Sequence, residues 1–259
     1  MAQGAVLITG ASGGIGRELA CVFAAEGHDV ILVARNRTKL KELASELVDR
    51  FGVSAEPLPR DLQRPGAASA LFASLDRRRV EVDILVNNAA VLQSGPFAEV
   101  PLSDHLALLQ LNMVVPTTLT HLFLGPMLDR GRGRILNVAS IAAFQPLARL
   151  GVYAAAKAYL LHLTEALSEE LRGTGVTATV LCPGFTDTEM MSRWADSQRV
   201  PDFAVSAAVD VARDGYRACM NGEPLYVSGA TNQWIAALVR YQPRWLVRAL
   251  SGMMARQVR

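Results

Sequence analysis

Short runs of Val, Ile and Leu alternate with longer stretches of 3.6-residue periodicity from the first residues to about residue 230, with no linker between them. Runs that are apolar at every position suit strands buried on both faces, and the periodic stretches suit the crossover helices of a parallel sheet. The pattern predicts strands at 5–9, 30–34, 53–58, 84–87, 134–139, 176–181 and 225–227. Helices are expected at 14–26, 38–51, 102–128, 151–171 and 206–221. Seven strands fit one doubly wound α/β domain over 1–230. Within it, the interval 183–201 is the longest without periodicity, and a loop of that length in a compact domain is usually functional.

Composition agrees with this picture and narrows it. The chain has 259 residues, 51% of them hydrophobic and 19% charged, enough to bury a large core and too apolar for disorder. Its formal charge of +2 exerts no global pull on nucleic acid. The charge is uneven, however: after Glu223 there are five arginines and no acid. Cys21, Cys182 and Cys219 are too widely spaced for a metal knuckle, so no metal site is expected. They read as small buried hydrophobes in a reducing compartment, which points to a cytoplasmic protein. His28, His105, His121 and His162 are scattered away from every motif.

The first strand runs into Thr9-Gly10-Ala11-Ser12-Gly13-Gly14-Ile15-Gly16, where a helix begins. Glycines at a strand-to-helix turn admit a pyrophosphate to the backbone, and the N–H groups and helix dipole stabilise its charge. About 20 residues on, the second strand ends in Ala34-Arg35 instead of the acid that would bind a ribose 2′-hydroxyl. A guanidinium there suits a 2′-phosphate, so NADP(H) is expected over NAD(H). Arg17 and Arg37 read as solvated charges.

Further along, Asn87-Asn88 and Ser140 end two more strands, and Tyr153 and Lys157 follow at i and i+4 near a helix start. That spacing puts phenol and ammonium on one helical face. A free tyrosine with a pKa of about 10 is a poor proton carrier at neutral pH, and a neighbouring cation favours the phenolate.

Taken in order, Thr9-Gly10, Gly14, Gly16, Asp61-Leu62, Asn87-Asn88-Ala89, Asn112, Ser140, Tyr153, Lys157 and Pro183-Gly184 resemble the motifs of the short-chain dehydrogenase/reductase family. The likeness covers residues 5 to about 230 and implies a Rossmann-type fold. One position departs: Ala90 stands where the family has glycine. The resemblance implies an oxidoreductase that exchanges hydride between NADP(H) and a carbonyl or alcohol. Tyr153 would be the general acid/base and Ser140 would hold the substrate oxygen. Lys157 would bind the nicotinamide ribose and lower the tyrosine pKa, and Asn112 would position a relay water. Gly10, Ser12, Gly14, Ile15, Gly16 and Arg35 would hold the phosphates. Asp61 and Leu62 would meet the adenine, Asn87 the adenosine-side ribose, and Pro183, Gly184, Thr186 and Thr188 the nicotinamide carboxamide. A subunit contact through the helices at 102–128 and 151–171 is usual in such proteins, giving a homodimer or homotetramer. Two other readings share the fold: a nucleotide-binding regulator without catalysis, and an isomerase that keeps its cofactor.

Substrate specificity is expected from 141–150, with Ile141, Ala142, Ala143, Phe144, Leu147 and Leu150, and from a loop at about 184–203. There Met190, Met191, Trp194 and Phe203 could form a lid. Such walls suit a lipophilic ketone, aldehyde or 3-oxoacyl-type substrate. Residues 231–259 form a basic extension. From Arg244 at 100° per residue, Leu246, Val247, Leu250, Met253 and Met254 fall on one side and Arg244, Arg248, Arg256 and Arg259 on another. Gly252 weakens that helix, which therefore needs a surface: the core, a partner subunit or an anionic membrane.

Overall fold

A computed structural model describes residues 4–189 and 205–242, together with 245, 247 and 248. Seven parallel strands form one sheet: β1 (Ala5–Thr9), β2 (Val30–Ala34), β3 (Ala55–Pro59), β4 (Val82–Asn87), β5 (Gly133–Val138), β6 (Val176–Cys182) and β9 (Leu225–Val227). Their spatial order is β3-β2-β1-β4-β5-β6-β9, so the winding reverses between β1 and β4. A crevice at such a switch point is where open α/β sheets take ligands.

Alternate side chains of each strand feed opposite cores. Val6 and Ile8 join Leu32, Val86 and Leu136 beneath α1 (Gly14–Ala25), α2 (Arg37–Phe51) and α7 (Ala208–Asn221). Leu7 joins Ile31, Leu85 and Ile135 on the other face, against α3 (Ala67–Arg77) and α5 (Val115–Arg130). The remaining main-sheet crossover is α6 (Gly151–Glu170), which packs Leu161 onto Val180. The third strand starts two residues later than the apolar pattern indicates. It is the sheet edge and carries Pro57 and Pro59, a position where missing N–H groups cost no ladder bond.

The long helix expected at 102–128 is interrupted. Helix α4 (Leu102–Leu109) passes through a π turn (Gln110–Val114) into α5, and the Val115 N–H bonds the Gln110 carbonyl five residues back. Pro116 has no N–H to offer the Asn112 carbonyl, its α-helical partner, and this explains why the regular ladder fails here. Besides short helical turns, four elements escaped the sequence reading. They are α3, the small pair β7 (Phe185–Thr186) with β8 (Val205–Ser206), and α8 (Ala230–Tyr241). Helix α8 buries Asn232 and Ala236 against the main body, so the chain beyond residue 230 begins as part of it. Met190, Met191, Trp194 and Phe203 lie outside the described residues. So do Leu246, Leu250, Met253, Met254, Arg244, Arg256 and Arg259.

Candidate active site

The nucleotide side is made mostly of backbone. Thr9 Oγ1 donates to the Val86 carbonyl (3.1 Å) and accepts from the N–H groups of Asn88 and Ala89 (3.0 Å each), fixing the ends of β1 and β4 together. Gly10 has φ +70° and Gly14 φ +53°, conformations that a side chain would strain. A Cβ on Gly16 would stand 2.3 Å from both the Gly10 carbonyl oxygen and the Asn88 amide nitrogen. At Gly13 it would meet nothing within 4 Å. Helix α1 starts there with no side-chain cap and no acid in its first turn, so its N–H groups are presented to that open space. Ser12 lies in the turn, and Ile15 packs on the core beside it. This is a cradle for an anion.

Beside it, a cavity of about 400 Å³ is lined by Arg35, Pro59, Arg60, Asp61, Arg64 and Ala67. Arg35 donates to Gln63 (3.2 Å), and Asp61 accepts from the Gln63 N–H (3.1 Å). Three guanidinium groups around one carboxylate leave the cavity cationic. Arg60 and Arg64 were not singled out in the sequence; their only signal there is that they flank Asp61.

Two sequence expectations change atom. Leu62 is buried in the core with Val33 and Leu71, so it has only main chain to offer an adenine. Asn87 also turns inward: its Nδ2 donates to Asn137 Oδ1 (2.8 Å) and Thr120 Oγ1 (3.2 Å). Asn137 in turn donates to Thr164 (2.8 Å). This buried chain of amides and hydroxyls ties α5, β4, β5 and α6 together, and the Asn87 side chain is therefore unavailable to a ribose. Asn88 is the one that reaches the glycine turn, donating to the carbonyls of Thr9 (3.0 Å) and Gly10 (3.3 Å).

The opposite side of the crevice is built from buried side chains. Ser140 ends β5 as the cap of a short 3-10 helix (Ile141–Phe144), accepting from the Ala142 N–H at 3.1 Å. Its side chain also shares a hydrogen bond with Tyr153. Lys157 Nζ donates to the Val138 carbonyl (2.8 Å) and stands 5.7 Å from the centre of the Tyr153 ring. Val91, Leu92, Met113, Leu147 and Val152 pack on the buried cluster that holds Tyr153 and give the site apolar surroundings. Of the expected substrate-side residues, Ala142 and Ala143 are themselves buried in packing.

That packing reverses one expectation. Burial pushes the Tyr153 phenol up to about 12 despite the bond from Ser140, instead of lowering it. The same burial brings the Lys157 ammonium down to about 8. Desolvation disfavours both charged forms and outweighs the opposing pull of Ser140 on the phenol and of Cys182 on the ammonium. Cys182, below this pair, is pushed up to about 12 by burial and is an inert packing residue.

Asn112 is also corrected in atom. Its amide donates to the Val91 carbonyl (2.9 Å) and accepts from the Val91 N–H (3.0 Å), so the side chain fastens the loop after β4. Its main-chain carbonyl is the group that Pro116 deprives of a helical donor.

At the end of β6, the Pro183 carbonyl accepts from Ile141 N–H (2.9 Å) and joins the two halves of the site. Gly184 lies directly against Asn232, whose amide a Cβ would meet at 2.3–2.6 Å. Thr186 is buried and donates to Gly184 O (3.1 Å), and Thr188 touches the place where a Cβ on Gly14 would stand. The segment 183–188 thus crosses from the catalytic side to the glycine turn.

Comparison with known proteins places this geometry among relatives. A family profile described as short chain dehydrogenase matches residues 4–199. Ketoacyl reductase HetN of Nostoc sp. is 36% identical over 187 residues, 72% of this chain and 65% of that protein, so the match spans less than two thirds of it. Nodulation protein G of Rhizobium sp. is 31% identical over 231 residues, 87% of this chain and 92% of that one. Among solved structures, a short-chain dehydrogenase from Sphingobium yanoikuyae in complex with NADPH superposes with a TM-score of 0.82 at 32% identity. It covers 98% of this chain and 96% of its own. A structure concerned with 7β-hydroxysteroid dehydrogenase stereoselectivity reaches a TM-score of 0.88 at 25% identity, covering 96% of each.

Proposed function

Because the chain belongs to the short-chain dehydrogenase family of oxidoreductases, we propose that it is an NADP(H)-dependent enzyme interconverting a lipophilic carbonyl compound and its alcohol. The substrate class is a ketone, an aldehyde or a 3-oxoacyl compound. The observation that carries this reading is the convergence of Ser140, Tyr153 and Lys157 among apolar side chains across the crevice from an uncapped glycine turn.

The cradle fits a dinucleotide. Gly10, Ser12, Gly14, Ile15 and Gly16 would hold the pyrophosphate through backbone N–H groups. Arg35, with Arg60 and Arg64, would hold a 2′-phosphate, and Asp61 with the Leu62 main chain would meet the adenine. Pro183, Gly184, Thr186 and Thr188 would border the nicotinamide, and Lys157 its ribose. NADPH, when bound, supplies the hydride. The protein supplies the proton: the Tyr153 O–H donates to the substrate oxygen, which Ser140 holds by a second hydrogen bond. A phenol raised to about 12 stays protonated at neutral pH, the form that reduction needs. The phenolate left behind is stabilised by Lys157, which must be charged for that purpose. Reprotonation runs through Lys157 from a water on the main-chain carbonyl of Asn112.

The outer side of α4, the π turn and α5 exposes Leu102, Leu106, Val114 and Leu128. By length and composition alone the helix Leu102–Arg130 could cross a membrane. Yet Leu119, Phe123 and Met127 are in the core, and Asn112 and Thr120 are bonded within it. We assign the outer face to a second copy, in a cytoplasmic homodimer or homotetramer. The test is cofactor oxidation against ketones, aldehydes and 3-oxoacyl thioesters. NADPH should be consumed with at least one apolar member and NADH much more slowly. Tight NADPH binding with no turnover would favour the regulator, and substrate isomerisation without net oxidation the isomerase.

A further inference from the structure

Helix α8 presents large apolar side chains to solvent, with the exposed Thr231 and Gln233 beside them. Trp234 and Leu238, one turn apart, are 79% and 63% exposed, and Trp245 just beyond the helix is 65% exposed. The inward side is already used, with Asn232 and Ala236 buried. A groove of about 290 Å³ continues the apolar surface between α8, β9 and Phe144, lined also by Leu225, Val227 and Ala237. Phe144 closes the 3-10 helix that Ser140 caps, so the groove adjoins the candidate active site.

Charge selects among occupants of this face. From Pro224 to the end of the sequence the only ionisable side chains besides tyrosine are five arginines: 240, 244, 248, 256 and 259. A second copy docked on the same patch would use it on both sides and bring two wholly cationic tails together. A bilayer with anionic headgroups satisfies both features. Exposed indoles are favoured at the water–hydrocarbon boundary, and guanidinium groups pair with lipid phosphates.

We propose that the α8 face, with Trp234, Leu238 and Trp245 as anchors and the arginine-only tail as its electrostatic partner, docks reversibly on an anionic membrane surface. Docking places the groove and the turn after Ser140 beside the bilayer, where apolar carbonyl compounds concentrate. The surface stands independently of the oxidoreductase reading, because binding is measured without turnover.

The experiment is co-sedimentation of the full chain with phosphatidylcholine vesicles, with and without phosphatidylglycerol. The chain should pellet with the anionic vesicles, stay in solution with neutral ones, and be released at about 1 M salt, where the screening length falls to about 3 Å. Tryptophan emission should shift to the blue on binding. Trp234→Ser with Leu238→Ser should abolish pelleting while the circular dichroism spectrum and cooperative thermal unfolding, which report a folded chain, are kept. Arg244→Gln with Arg248→Gln leaves the apolar anchors in place and should weaken partitioning about fivefold per charge removed. Equal binding to neutral vesicles, or undiminished pelleting after either pair of substitutions in a folded chain, would overturn the proposal. So would a wild-type chain that ignores vesicles but dissociates to monomer when Trp234 and Leu238 are replaced; that outcome assigns the face to a second copy.

Discussion

The two sides of the crevice are built by opposite means. On the glycine turn the chain offers backbone, held open because Gly10, Gly14 and Gly16 lack a Cβ where one would be strained or would collide. Across the crevice it offers side chains, Tyr153 and Lys157, buried to 9% and 3% exposure. The first side stabilises a charge that arrives with a ligand; the second holds groups whose charged forms burial disfavours. Loss of a group from the first should therefore appear in affinity, and loss from the second in turnover.

Substitution of the acid should produce the largest effect. Tyr153→Phe removes the proton donor and keeps the ring, so turnover should fall about 10²- to 10⁴-fold, with NADPH affinity within about twofold by fluorescence titration. On the other side, Arg35→Ala should weaken NADPH about 10- to 150-fold, the worth of a charge-assisted hydrogen bond. NADH affinity should not change, and turnover at saturating NADPH should survive. Equal losses for the two cofactors would break the division between the sides.

The pH profile separates the sides through Lys157. With its pKa brought down to about 8, it is charged below that pH and neutral above it. Reductive kcat/KM should be flat below about pH 8 and fall about tenfold per unit above it. Direct NADPH binding to the arginine side should show no matching break. A limb that begins only where Tyr153 titrates would show that the lysine charge is not needed. The smallest effect is expected at Gly16→Ala, whose methyl must displace the Gly10 carbonyl and the Asn88 amide. A loss of about 1–3 kcal/mol in stability is predicted by denaturant titration, with NADPH and NADH weakened alike.

The legibility of these features followed the same division. Strands such as Val30–Ala34, apolar at all five positions because helices cover both faces, announce themselves. The glycine turn and the Tyr153/Lys157 spacing are likewise local patterns. The π turn was missed although its cause, Pro116 with no N–H for the Asn112 carbonyl, is local, because the apolar period runs on through it. Helix α3 was missed although Ala68, Leu71 and Leu75 mark its buried side at helical spacing; four alanines in eleven residues make that side inconspicuous. The direction of the Tyr153 shift depends on Leu108, Ala142 and Leu147 arriving from separate elements, and Arg60 and Arg64 matter only once the β3–α3 loop lies beside Arg35. Asn87, expected at the ribose, was misplaced because strand alternation aims its side chain inward, while Asn88 beside it reaches the glycine turn.

The central claim is that this crevice moves a hydride from NADPH to a carbonyl carbon while Tyr153 supplies the proton. Reduction of an apolar ketone with NADPH deuterated at the transferring position of nicotinamide C4, followed by mass analysis of the product, tests it most directly. One deuterium at the new carbinol carbon is predicted, with none formed by Tyr153→Phe on the same time scale. An alcohol without deuterium from either face of C4, or no alcohol with any carbonyl compound while NADPH remains bound, would contradict it.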